Sequence, residues 1–141
     1  MDVLVDTSVW SLALRRNQHD LNAEQHLIVG QLAELIREGR ARLLGLIRQE
    51  LLSGIKTNAQ FERLRDTLRA FPDERIDTAD YETAAKASND CRGKGITVSV
   101  VDILICAVAI KRDQFIFTTD ADFESYAEVL PLKFHRAVEK R

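Results

Sequence analysis

Apolar residues occur along this chain in two kinds of run that alternate. Short runs that are apolar almost throughout lie at Val3-Leu4-Val5, at Ala41 to Leu46 (ARLLGL) and at Phe115 to Thr118 (FIFT). A strand covered on both faces has this pattern, whereas a half-exposed one alternates. Longer stretches with helical spacing lie between them. Val9, Trp10, Leu12, Ala13 and Leu14 form the first, Leu27, Ile28, Leu32, Leu35 and Ile36 the second. Phe61, Leu64, Leu68 and Phe71 form another, and Tyr81, Ala84, Ala85 and Ala87 one more. Each predicts a helix with one buried stripe. Val100 to Ile110 (VVDILICAVAI) is apolar on every side except at Asp102, the pattern of a helix inside the core.

Capping and breaking residues punctuate these runs. Thr7 and Ser8 offer N-cap hydroxyls to the first helix, Asn22 precedes the second, and Asp77 or Thr78 caps the one that Gly93 and Gly95 break after Cys91. The second helix is expected to end at Gly39, with Arg37 and Arg40 near its C-terminus where the helix dipole favours cations. Arg48 to Ile55 (RQELLSGI) predicts a helix that stops near Gly54 and carries Glu50 in or near its first turn. Ala59 to Phe71 predicts another, ended by Pro72. Arg15 to Asn22 reads as a polar connection, and Asp73 to Ile76 and Val129 to Phe134 as weak strands, the latter before a charged tail. Helices alternating with short apolar strands imply right-handed crossovers and a parallel sheet. The expected fold class is α/β, a three-layer α/β/α sandwich with a central, mostly parallel sheet. No repeat or linker divides residues 1–141, which are read as one domain.

Composition narrows the function classes. The chain is 45% hydrophobic and 30% charged, which fits a folded domain and excludes disorder as the dominant state. No segment approaches the roughly 20 apolar residues of a membrane-spanning helix, and a strand at the N-terminus replaces the basic, then apolar, signal pattern. A cytoplasmic protein is expected, with no membrane association. Cys91 and Cys106 read as unpaired core thiols. His19, His26 and His135 lack zinc-ligand spacing. A net charge of −2 argues against gripping nucleic acid by bulk electrostatics and leaves local grip open. Arg15, Arg16, Arg48, Arg92, Lys94, Lys111 and Arg112 are the candidate cations, each otherwise a solvated surface charge.

The acids carry the chemistry. Asp6 and Asp120 follow strands directly, and Glu50 and Asp102 stand near the starts of helices, so all four can converge on the carboxyl edge of one sheet, where α/β proteins bind ligands. Local readings compete at each position. Asp6 can cap the first helix, Asp102 can form a capping box with Ser99, and Glu50 can be a first-turn acid favoured by the dipole. Taken together, carboxylates within mutual reach repel and raise one another's pKa values unless a cation compensates them. Oxygen ligation without His or Cys fits Mg²⁺ or Mn²⁺. One or two such ions could activate water for attack on a phosphodiester, so hydrolysis of nucleic acid is the natural chemistry.

The ordered set DTSVW, QELLSG, VVDILICAVA and TTDADF, spread from Asp6 to Phe123, resembles the PIN-domain nucleases, and the small size resembles the VapC toxins of toxin–antitoxin pairs. The resemblance implies that Asp6, Glu50, Asp102 and Asp120 are metal ligands and catalytic residues. Asp122 is an accessory ligand or an exposed acid, and Thr119 and Ser8 are candidate hydroxyl contributors, with local capping open for Ser8. It further implies a Mg²⁺-dependent endoribonuclease acting on structured RNA, a cognate antitoxin protein as inhibitor, and a homodimer. The alternative is a catalytically inactive PIN-like module that binds RNA or protein. A haloacid-dehalogenase-like phosphatase needs a second Asp where Ser8 stands, and a response-regulator receiver has no use for an acid at Asp102.

Overall fold

In the computed structural model, which describes residues 1–136, three parallel strands form a sheet of order β2-β1-β3. The strands are β1 (Val3–Val5), β2 (Ala41–Arg42) and β3 (Phe115–Phe117), with Val3 opposite both Ala41 and Phe115. Around them lie α1 (Thr7–Leu14), α2 (Ala23–Arg37), α3 (Gly45–Leu52), α4 (Asn58–Leu68), α5 (Thr78–Gly93), α6 (Val100–Lys111) and α7 (Asp122–Tyr126). Val3, Leu4 and Val5 are all fully buried, and successive strand side chains point to opposite faces, so both faces of β1 are covered as the apolar run predicts. Burial of one such side chain contributes roughly 1.5 to 3 kcal/mol. The whole middle of α6, from Ile103 to Ala109, is buried as well.

The two weak strands reduce to single pairings. Leu43 pairs with Asp73 beyond β2, and Ile116 pairs with Phe134 beyond β3, both parallel. They flank a short sheet without extending it, because Pro72 and Pro131 interrupt the donor rows nearby. The second strand is shorter than its apolar run. Leu43 and Leu44 are buried, but Leu44 is the N-cap residue of α3, which starts at Gly45 and not at Arg48. A buried helix start and a buried strand share one sequence signature. The connection after α1 holds a single 3₁₀ turn at Gln18–Asp20, capped by the Asn17 side chain. α4 ends at Leu68, short of the expected Phe71, whose N–H returns to the Leu68 carbonyl at 2.9 Å.

Three of the candidate cation positions are structural. Arg48 donates to Asp73 Oδ1 at 2.8 Å, to the Leu68 carbonyl at 3.0 Å and to the Phe71 carbonyl, which staples the end of α4 to α3. Arg112 bonds Glu74 at 2.9 Å and Asp80 at 3.1 Å, and Lys111 adds a 3.2 Å contact to Asp80. Asp80 is 1% exposed. Burial pushes its carboxyl pKa up, but the Asp77 N–H, Lys111 and Arg112 outweigh that and hold it below the ordinary value. Cys91 and Cys106 are free and buried, as expected.

Candidate active site

Asp6 leaves β1 through an extended backbone and begins α1, its carbonyl accepting from the Val9 and Trp10 N–H groups. Its side chain makes no cap bond. Thr7 and Ser8 do not cap either, which corrects the expectation drawn from their position. They lie within the first turn, where their hydroxyls serve carboxylates. Thr7 Oγ1 donates to Glu50 Oε1 at 2.8 Å, and Ser8 Oγ donates to Asp6 Oδ2 at 2.8 Å. A second hydroxyl, Thr118 Oγ1 at the end of β3, donates to the same Asp6 oxygen at 2.7 Å. Thr118 Oγ1 also accepts from Asp120 N–H at 3.0 Å, and Ser8 Oγ accepts from Thr119 N–H at 3.0 Å. Thr119 thus contributes its backbone, and Thr118 is the hydroxyl contributor.

Asp102 settles between its two structural readings in an instructive way. Ser99 Oγ accepts from Asp102 N–H at 3.1 Å, so Ser99 caps α6. Asp102 does not close the reciprocal half of a capping box. α2 and α5 close theirs, through Gln25 and Asp80. The Asp102 carboxylate accepts instead from the Tyr126 hydroxyl, 3.0 Å from Oδ2. Burial raises the Asp102 pKa, the Tyr126 bond pulls it down, and the negative charges of Asp6 and Asp120 push it up again, with a net rise. Asp6 and Asp120 are therefore both within electrostatic reach of Asp102. Tyr126 is raised in turn, first by burial and then by Asp102, Asp122 and Asp120.

The remaining acids lie further out. Glu50 is exposed and stands in the second turn of α3, a consequence of the helix starting three residues early; Thr7 links it to the neighbourhood of Asp6. Asp122 is exposed, and its N–H donates to Asp120 Oδ1 at 2.9 Å, an Asx-type turn that fixes Asp120. Its carboxylate raises the Tyr126 pKa, which puts it beside the cluster.

The donors around these acids share one property. Hydroxyls orient Asp6, Glu50 and Asp102, and a backbone amide orients Asp120. All are neutral. Among the described residues, none of Asp6, Glu50, Asp102, Asp120 or Asp122 forms an ion pair, while Lys and Arg pair with acids elsewhere on the molecule, such as Asp73, Glu74 and Asp80. No protein cation pairs with the cluster among the described residues. An all-oxygen donor set of this kind suits a hard divalent cation such as Mg²⁺ or Mn²⁺. Among the described residues, no three Asp, Glu, His or Cys side chains form a group that could hold a metal ion as they stand. Beside the cluster lies a cavity of about 320 Å³, lined in part by Phe117, Thr119, Asp120, Phe123 and His135.

A PIN domain family model matches residues 3–129. The chain belongs to the PIN domain family. This PIN domain is 30% identical over 135 residues to a VapC ribonuclease of Mycobacterium bovis and equally to Ribonuclease VapC11 of Mycobacterium tuberculosis, in each case over 93% of this chain and 96% of the relative. Its fold matches that of FitAcB from Neisseria gonorrhoeae with a TM-score of 0.73 and 22% identity, covering 94% of this chain and 96% of that one. It also matches VapBC2 from Rickettsia felis, solved bound to a DNA fragment from their promoter, with a TM-score of 0.71, 16% identity and coverage of 96% and 98%. Within the PIN domain, sequence reasoning missed Thr118 and Tyr126. A hydroxyl closing an apolar run and an aromatic in a five-residue helix look like packing positions; only the fold shows what their oxygens touch.

Proposed function

We propose that this protein is a Mg²⁺-dependent endoribonuclease, the toxin of a toxin–antitoxin pair. The observation that carries the reading is the group of carboxylates at the carboxyl edge of the sheet, oriented by neutral donors and left without a protein cation. Membership of the PIN family and 30% identity to VapC ribonucleases support RNA as the substrate. When bound, Mg²⁺ would supply water activation and stabilisation of charge on the leaving oxygen. Asp6, Asp102 and Asp120 are the residues to hold it, with Glu50 reaching in from α3 and Asp122 accessory. Ser8 and Thr118 fix the Asp6 carboxylate, and Asp122 N–H fixes that of Asp120.

A protein antitoxin is the proposed inhibitor, supported by the VapBC and FitAcB assemblies among the structural neighbours. A homodimer is proposed as well. Its candidate surface is the apolar groove between α3, α5 and α6, where Tyr81 is 57% and Val100 78% exposed.

Purified protein incubated with structured RNA tests the activity. Cleavage is expected with Mg²⁺ and not with excess EDTA, and Asp6→Asn should abolish it. Full cleavage in EDTA refutes the metal-dependent mechanism. RNA binding without cleavage under any divalent ion favours the inactive module.

A further inference from the structure

Tyr126 is the last residue of α7 and is 4% exposed. Its ring packs edge-on against Phe123, with centroids 5.1 Å apart at 67°, and its carbonyl accepts from the Val129 and Leu130 N–H groups. Phenylalanine would satisfy every one of those contacts. The hydroxyl adds one partner, Asp102 Oδ2 at 3.0 Å, across 24 positions of sequence. Burying a hydroxyl is unfavourable unless it is paired, so the oxygen makes sense only through the carboxylate it touches. A lysine or arginine there would neutralise Asp102. A phenol fixes one carboxylate oxygen and leaves the charge.

We infer that Tyr126 is a positioning residue, whose hydroxyl sets the orientation of the Asp102 carboxylate toward a divalent cation. The inference rests on the metal-dependent reading proposed above. It completes a pattern in which Asp6 is held by Ser8 and Thr118 and Glu50 by Thr7. Hydrogen-bonded partners that orient a ligating carboxylate typically matter 10- to 100-fold in metal affinity or activity.

The test is Tyr126→Phe, which keeps the ring. Mn²⁺ affinity is measured directly, by electron paramagnetic resonance of the free ion, in wild type, Tyr126→Phe, Asp102→Asn and the double variant. Tyr126→Phe is expected to weaken Mn²⁺ binding about 10-fold and to raise the Mg²⁺ concentration for half-maximal cleavage by a similar factor, with KM for RNA within about twofold. Adding it to Asp102→Asn should weaken binding no further, because the hydroxyl acts through that carboxylate. The cycle decides even where Tyr126→Phe lowers the melting temperature, since a purely structural effect persists in the Asp102→Asn background. Wild-type affinity retained in Tyr126→Phe, or effects that add in the double variant, overturns the inference and leaves the nuclease reading intact. Failure of the wild type to bind Mn²⁺ overturns both.

Discussion

Replacing Asp102 with Asn separates a site residue from a structural one. The perturbation removes one negative charge and keeps the shape, and Tyr126 can still donate to the amide oxygen. Two effects oppose each other. A hydrogen bond to a charged acceptor contributes about 1.5 to 3 kcal/mol and a neutral one about 0.5 to 1.5, so roughly 1 kcal/mol is lost at Tyr126. Against this, the variant relieves burial of the charge and repulsion from Asp6 and Asp120. The net rise in the Asp102 pKa shows that relief is the larger effect. Asp102 is only part-buried, and solvent screening reduces the gain, so a net stabilisation of about 0.5 to 1 kcal/mol is expected, at the low end of what single stabilising substitutions give. Near 4 °C per kcal/mol for a domain of this size, the metal-free melting temperature should rise by about 2 to 4 °C at neutral pH.

The pH dependence follows from the raised pKa. Below the ordinary value of 3.8 the carboxyl is protonated in folded and unfolded chains alike and carries no penalty. As pH rises through the raised folded pKa, the native charge forms at a disadvantage, so the advantage of Asn should appear there and vanish again in acid. Thermal melts in EDTA at neutral and acid pH measure it, and cleavage should be lost. Mg²⁺ at about 100 times its Kd should stabilise the wild type by about 2.7 kcal/mol and the variant by much less. A variant destabilised by 1 kcal/mol or more in EDTA at neutral pH, with cleavage and the Mg²⁺ response intact, would refute the reasoning and make Asp102 a structural residue.

Thr118→Val removes a hydroxyl that donates to Asp6 and accepts from Asp120 N–H; melts should show a loss of about 1 to 3 kcal/mol, and cleavage assays a drop of about 10- to 100-fold. Asp80→Asn strips the partner from Lys111 and Arg112 and should destabilise by about 3 kcal/mol, with cleavage below the melting temperature unchanged. Because the Asp80 pKa is lowered, its contribution is present above 3.8 and is lost as pH falls through the depressed value, which acid titration of wild type against variant will read. Burial raises both cysteine pKa values, so Cys91 and Cys106 should resist an aromatic disulfide reagent until the protein is unfolded. Tyr81→Glu should convert a dimer to monomer by light scattering, and a wild type already monomeric at high concentration would remove the homodimer proposal.

The parts of the fold legible in the sequence are those fixed by short-range physics. β1 and β3 are apolar runs long enough to be buried on both faces, and α2 and α5 carry capping boxes whose partners lie three residues apart. Leu43 and Leu44 were ambiguous because burial alone does not distinguish a strand from a helix start, and that ambiguity displaced Glu50 by a turn. Thr7 and Ser8 follow a strand as caps do, yet their hydroxyls are claimed by carboxylates 43 and 2 positions away. Asp6 and Asp120 were visible as acids after apolar runs and Asp102 as an acid at a helix start. Their orienting donors were not, because Thr118 and Tyr126 reach Asp6 and Asp102 only through tertiary packing.

The bond from Thr118 to Asp6 spans 112 positions, and the central strand gets its β3 neighbour from the same late segment. During synthesis at about 5 to 20 residues per second, some 6 to 22 seconds separate the two halves of this bond. Until Thr118 and Asp120 emerge, β1 has one open edge and Asp6 lacks its second hydroxyl. A chain stopped early, or clipped before β3, would lack Thr118 and Asp120 and leave Asp6 with one of its two hydroxyl donors, so the cluster is assembled only when the last strand joins the first.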